Sequence, residues 1–168
     1  MQLSKDIIVD SALEILDTYG LQDLTIRRLA RHLDAAAGAM YWHFPSKQAL
    51  LGAVADRMLA SLAESDKDSL PDALALHFHT LLTNHRDGAE VVSAALATGT
   101  ATIRPEEIIA EALGDETAAD VVTFFILGAT VEEQTAQQLA EANADAQQKS
   151  PKPDRIGRGV ELILSRYN

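Results

Sequence analysis

The 168-residue chain contains no cysteine, so neither a disulfide nor a thiolate metal site is open to it. That is compatible with a reducing cytoplasm. No apolar run approaches the roughly 18 residues of a membrane span. The opening MQLSKDIIVD lacks the basic and long apolar regions of a signal peptide, so a cytoplasmic protein without membrane contact is expected. No β-strand pattern, low-complexity tract or internal repeat stands out. No nucleophile–base pairing, HExxH motif or phosphate-binding loop is present, so neither an enzyme nor a cofactor is expected. Positive charge is also scarce: 14 Lys and Arg stand against 25 Asp and Glu, a net −11. Taken as a total, this opposes nucleic-acid binding, which needs cations to neutralise phosphates.

The distribution of charge says otherwise. Between Leu24 and Gln48 the charges are Arg27, Arg28, Arg31 and Lys47 against Asp34 alone. A locally basic surface on an acidic body can hold DNA. The alternative is that the three arginines are a solvated helix face.

The same stretch has helical punctuation. Thr25 is a plausible N-cap, and Ile26, Leu29, Ala30 and Leu33 follow at the spacing of one buried face. Asp34 breaks the pattern. A second helix is expected from Ala36 to about His43, and Ser46 is placed to cap a third from Lys47 to about Glu64. Helix, short turn, helix, with basic residues around it, is a helix-turn-helix pattern. Upstream, Ser4 should cap a helix with the apolar stripe Ile8, Ala12, Ile15, Leu16 and Tyr19, stopped by Gly20.

Downstream, Ser65 to Ser69 is a polar break. Pro71 then opens a helix with Leu74, Phe78, Leu81 and Leu82 on its core face. Gly88 and Ala89 open another, and Thr98 to Thr102 interrupts it. Pro105, with Glu106 and Glu107, opens the next, which Gly114-Asp115 ends. A long helix is expected from about Thr117 to Ala146, apolar in its first half through Val121, Phe124, Phe125, Leu127, Gly128 and Val131. Gln147 to Pro153 reads as a loop. Asp154 should cap a last helix with the stripe Ile156, Val160, Ile163 and Leu164. His77 and His79 lie two apart, a spacing that points them in different directions, so no metal site is expected. His32 and His85 have no obvious partner.

Tyr41-Trp42-His43-Phe44-Pro45-Ser46-Lys47, followed by Ala49-Leu50-Leu51, closely resembles the end of the DNA-binding domain of TetR-family transcriptional regulators. Ala12-Leu13, Ile15-Leu16, Gly20-Leu21 and Leu24 through Ala30 fit the same family. The resemblance runs from about Ser4 to Leu59. It implies DNA contacts from Thr25, Arg27 and Arg28, from Ala37, Gly38 and Ala39 on the recognition helix, and from Tyr41, Trp42, His43 and Lys47. Tyr41 and His43 would meet the phosphate backbone and Lys47 a phosphate at the next helix start. The Trp42 ring would pack partly inside, with its N–H reaching a phosphate or solvent, and Phe44 would be core. Ala37, Gly38 and Ala39 offer only methyl contacts and close backbone approach, where base readout usually needs Arg, Lys, Asn or Gln. Three routes stay open: a base contact from Arg27 or Arg28, readout of DNA shape, or weak binding.

The body is similar to the tetracycline-repressor branch at Arg86 to Val91, at Arg104-Pro105 and at Leu127-Gly128-Ala129 with Glu132 and Gln134. That branch holds its drug and a magnesium ion through a histidine in the turn before Arg-Pro. Thr98 to Ile103 contains none, so no metal is expected here. Phe78, Thr100, Arg104, Pro105, Phe125 and Glu132 are the candidates to line a pocket for an unknown small-molecule effector. The plainer alternative makes Phe78 core, Pro105 a helix starter, and Arg104 and Glu132 solvated charges. The expectation is therefore an all-α chain. Residues 1–48 form a three-helix DNA-binding domain and residues 49–168 a helical ligand-binding and dimerisation domain. Its function is that of a ligand-released repressor, homodimeric through the last two helices on a palindromic double-stranded DNA operator. The alternative is a small-molecule-sequestering or scaffold protein with a degenerate DNA reader.

Overall fold

The structure, a computed structural model, describes residues 3–66, 68–143 and 154–165. Every regular element among them is a helix. In order these are α1 (Lys5–Tyr19), α2 (Ile26–His32), α3 (Ala37–His43), α4 (Lys47–Ala63), α5 (Pro71–Thr83), α6 (Gly88–Ala97), α7 (Pro105–Leu113), α8 (Glu116–Ala142) and α9 (Arg155–Leu164). The chain divides into two compact units, one of Met1–Ala60 with Leu81–Ile103, the other of Ser61–Thr80 with Arg104–Asn168.

In the first unit the local signals act as expected. Ser4 Oγ accepts from the Ile7 N–H at 3.3 Å, Thr25 Oγ1 from the Arg28 N–H at 3.1 Å and Ser46 Oγ from the Ala49 N–H at 3.1 Å. Each satisfies an amide that the first helical turn leaves without a partner. Gly20 stops α1 with a φ of 84°. The stripe of α1 is buried at Ile8, Ala12, Ile15 and Leu16, while Tyr19 at its end is exposed. Ile8, Ile15 and Leu16 each contribute about 1.5–3 kcal/mol by leaving water. Leu29 and Ala30 of α2 are buried, but Ile26 and Leu33 are only half-buried, because a seven-residue helix places them at the rims of its buried face. Asp34 turns the chain with a φ of 49°, and α3 starts at Ala37, one residue later than expected. Met40 of α3 and Phe44 after it are buried, as are Leu50, Val54, Ala55, Met58 and Leu59 of α4. Val91, Val92 and Ala95 of α6 complete this core.

In the second unit α8 packs against both α7 and α9. Asp115 caps α8 by accepting from the Ala118 N–H at 2.8 Å, and Asp154 caps α9 by accepting from the Gly157 N–H at 2.7 Å. Gly159 of α9 lies so close to the Phe125 ring of α8 that a Cβ there would run into it. Leu74 and Phe78 of α5 are buried, while Leu81 is half-buried in the first unit.

The apolar half of α8 is not one face. Ala118, Ala119, Val122, Thr123, Ile126, Leu127 and Thr130 point inward. Val121, Phe124 and Gly128 point outward, with Phe124 69% exposed. The spacing i, i+3, i+7 puts those three on one opposite stripe. On α9, Ile156, Val160 and Leu164 are buried, Ile163 is half-buried and Leu162 is 76% exposed. The expected last residues of the long helix, to Ala146, and the loop from Gln147 to Pro153 lie outside the described residues.

Candidate nucleic-acid interface

The α2–α3 pair is short on both sides of the Asp34 turn, and its outer face carries the residues singled out above. Thr25, Arg27, Arg31, Ala37, Gly38, Tyr41 and Trp42 are exposed, and Arg28, Ala39, His43 and Lys47 are half-buried. Trp42 is 91% exposed, so the indole does not pack inside; the buried aromatic is its second neighbour, Phe44. A ring left almost wholly in water contributes little to the core. A Cβ on Gly38 would meet nothing within 4 Å, so packing is not what selects glycine there.

The arginines are not equivalent. Arg28 is ion-paired with Asp23, and its guanidinium carbon sits 3.8 Å from the centre of the Tyr19 ring. It is therefore a held group, which corrects the view of three solvated arginines. Arg27 and Arg31 are the exposed cations of α2. His32 and His85 also have partners that their sequence neighbourhoods do not reveal: His32 Nε2 lies 3.2 Å from Glu14 Oε2, and His85 Nδ1 lies 3.0 Å from Asp17 Oδ2.

α1, which packs against α2, is tied to α4. Arg57 of α4 reaches Asp6 at 2.6 Å and also pairs with Asp10, both on α1. Its neighbour Asp56 accepts from the Thr102 N–H at 2.7 Å, the Thr102 hydroxyl at 2.7 Å and the Ile103 N–H at 2.9 Å. Lys5 lies 5.8 Å over the ring of Phe44. An open pocket of about 470 Å³ lies among these groups, lined in part by Lys5, His43, Phe44, Ala53, Arg57 and Thr100. Sequence reasoning missed Asp56 and Arg57. Their partners lie some 46 to 51 residues away along the chain, and no local pattern announces them.

The candidate effector residues fall in different places. Thr100 belongs to the first unit, where its hydroxyl lies 3.0 Å from that of Thr98. The others belong to the second unit. Phe78 and Pro105 are buried, and Phe125 is half-buried against Gly159. Arg104 is ion-paired with Glu106. Glu132 is exposed, 3.7 Å from Arg155. His77 lies 3.2 Å from Ser61 and His79 3.0 Å from Glu133, so the two rings have separate partners. Among the described residues no three His, Asp or Glu side chains are grouped to hold a metal ion. No described helix is long and apolar enough to cross a membrane.

Residues 8–54, which span α1 through the first half of α4, match the model of the bacterial regulatory proteins of the tetR family. The chain is 31% identical to the class C tetracycline repressor protein of Escherichia coli over 184 residues, covering 96% of this chain and 82% of the repressor. The chain belongs to the TetR family. It is a DNA-binding transcriptional regulator and not an enzyme. This TetR-family regulator is also similar in structure to BioQ crystallised with its natural double-stranded DNA operator, at 36% identity and a TM-score of 0.82, over 99% of this chain and 98% of that one. BioQ of Mycobacterium smegmatis is 35% identical, with a TM-score of 0.82 and the same coverage.

Proposed function

We propose that this TetR-family regulator is a homodimeric repressor that binds a palindromic operator and is released by a small molecule. The observation that carries the reading is the outer face of α2 and α3, where Tyr41 and Trp42 stand in solvent beside Arg27 and Arg31. The Trp42 indole and the two arginines are left in water and bury no core surface. Arg27, Tyr41, His43 and Lys47 supply phosphate contacts. Thr25 does the same from the start of α2, and Arg28 orients the face through Asp23. Ala37, Gly38 and Ala39 let the backbone of α3 come close to the bases, with methyl groups against thymine. Sequence preference then comes partly from DNA shape.

Functionally the reading head is residues 1–48, and residues 49–168 sense and dimerise. The outward stripe Val121, Phe124 and Gly128, with Leu162 on α9, is apolar surface suited to a second copy of the chain. The effector site draws on Phe78, Arg104, Pro105, Phe125 and Glu132 of the second unit. The missing histidine between Thr98 and Ile103 favours an effector other than a tetracycline–magnesium complex. The protein works in the cytoplasm.

A footprint on the DNA flanking its own gene tests this. A protected stretch with twofold symmetry is expected. Uniform protection of any sequence would favour the second reading, a sequestering or scaffold protein with a degenerate reader, for which the side-chain-poor start of α3 speaks.

A further inference from the structure

Three residues in the first unit break local rules, and all three meet at one place. Asp17 is an acid in the last turn of α1, where the helix dipole disfavours it. Asp87 takes a left-handed backbone with a φ of 54°, which costs a non-glycine residue. Gly20 has φ 84° and ψ 172°, a conformation almost reserved for glycine. Local conflicts of this kind mark functional or strained positions.

What they share is a reciprocal clasp between the α1–α2 turn and the loop 84–87 before α6. Asp17 Oδ1 accepts from the Arg86 N–H at 3.2 Å, and Asp17 Oδ2 lies 3.0 Å from His85 Nδ1. In return, Asp87 Oδ2 accepts from the Leu21 N–H at 2.7 Å. Asp87 stands at the N-cap position of α6 yet makes no capping bond to its own helix. A Cβ on Gly20 would come within 2.9 Å of Asp87 Oδ2, so the carboxylate occupies the space that the glycine leaves. Each side thus gives a carboxylate to the other side's backbone.

We infer that Asp17 and Asp87 are positioning residues for operator recognition. The inference rests on the repressor reading above. The turn they hold is the one from which α2 and α3 extend. The loop that holds it leads directly into α6. A fixed carboxylate on a main-chain amide sets the direction of α2 without touching DNA. In a dimer it sets the angle at which each recognition helix enters its half-site.

The test compares full-length wild type, D87A, D87N and D17A on the duplex footprinted next to its own gene. Two further duplexes carry the half-sites one base pair closer and one further apart. Helicity and melting temperature control for folding, and hydrogen exchange at the Leu21 amide reports the clasp directly. D87A should lose affinity about tenfold, lose its preference for the natural spacing, and keep the wild-type salt slope, because no phosphate contact is removed. D87N, whose amide oxygen still accepts from Leu21, should stay within about twofold of wild type. If D87A does not fold, D17A must show the same loss of spacing preference. Wild-type affinity and spacing preference in both alanine variants overturns the inference. So does a D87N as weak as D87A. A wild type with no preference for any site overturns the repressor reading and this inference with it. Slow exchange of the Leu21 amide in wild type and fast exchange in D87A would then leave the clasp as a purely structural contact.

Discussion

Asp56 and Thr102 are joined twice: one carboxylate oxygen accepts the Thr102 backbone N–H and the other its hydroxyl, both at 2.7 Å. The first oxygen also takes the Ile103 N–H. One side chain on α4 therefore fixes the loop that ends at Arg104. Removing it in D56A leaves a part-buried amide without its acceptor and should cost about 1–3 kcal/mol. D56N, which keeps one acceptor oxygen, should recover part of that. Denaturant melts of the two variants measure the difference.

Two glycines predict opposite signs for the same change. Gly38 has open space around its Cβ position, so G38A should stabilise the protein by about 0.5–1 kcal/mol through helix propensity. Gly52, also within a helix, lies against the backbone carbonyl of Thr100, which cannot rotate away as a side chain would. G52A should therefore destabilise, despite the same propensity gain. Thermal melts of both, side by side, check the pair of signs.

Trp42 is nearly all in water, so W42A should leave folding stability within about 0.5 kcal/mol of wild type. Its effect should fall on DNA binding instead. R27A should weaken binding to every sequence by a similar factor and reduce the slope of log affinity against log salt by about 0.9, one phosphate's worth. Titrations of both variants against specific and random duplexes, at several salt concentrations, read these effects.

The outward stripe of α8 predicts the oligomer. V121D with F124D puts two charges on surface that a second copy would bury, so the double variant should sediment as a monomer while keeping its helicity. A wild type that is itself monomeric at micromolar concentration would remove the dimer from the proposal.

The difference between what sequence reveals here and what it hides is one of range. Caps at Ser4, Thr25, Ser46 and Asp154 were legible because a cap and its amide lie three residues apart. Helix starts at Pro71 and Pro105, and the stop at Gly20, followed from single-residue backbone preferences. The division of α8 into two apolar faces was not legible. Residues 121, 122 and 124–127 are all apolar and surround the helix, so periodicity could not choose between faces. The exposure of Trp42 was likewise undecided, since an indole suits core and surface alike. The partners of His32, His85, Asp56 and Arg57 stood beyond reach for a different reason. They join residues between 18 and 68 positions apart, and only the packing of the helices brings them together.

The central claim is sequence-specific DNA binding by a recognition helix that opens on alanine, glycine and alanine. A gel shift of the purified full-length protein on the DNA immediately flanking its own gene addresses it, with random DNA as competitor and two salt concentrations. A discrete band that survives the competitor, and weakens as salt rises, is the expected result. A band that random DNA removes as readily as the flanking DNA itself, at both salts, would contradict it.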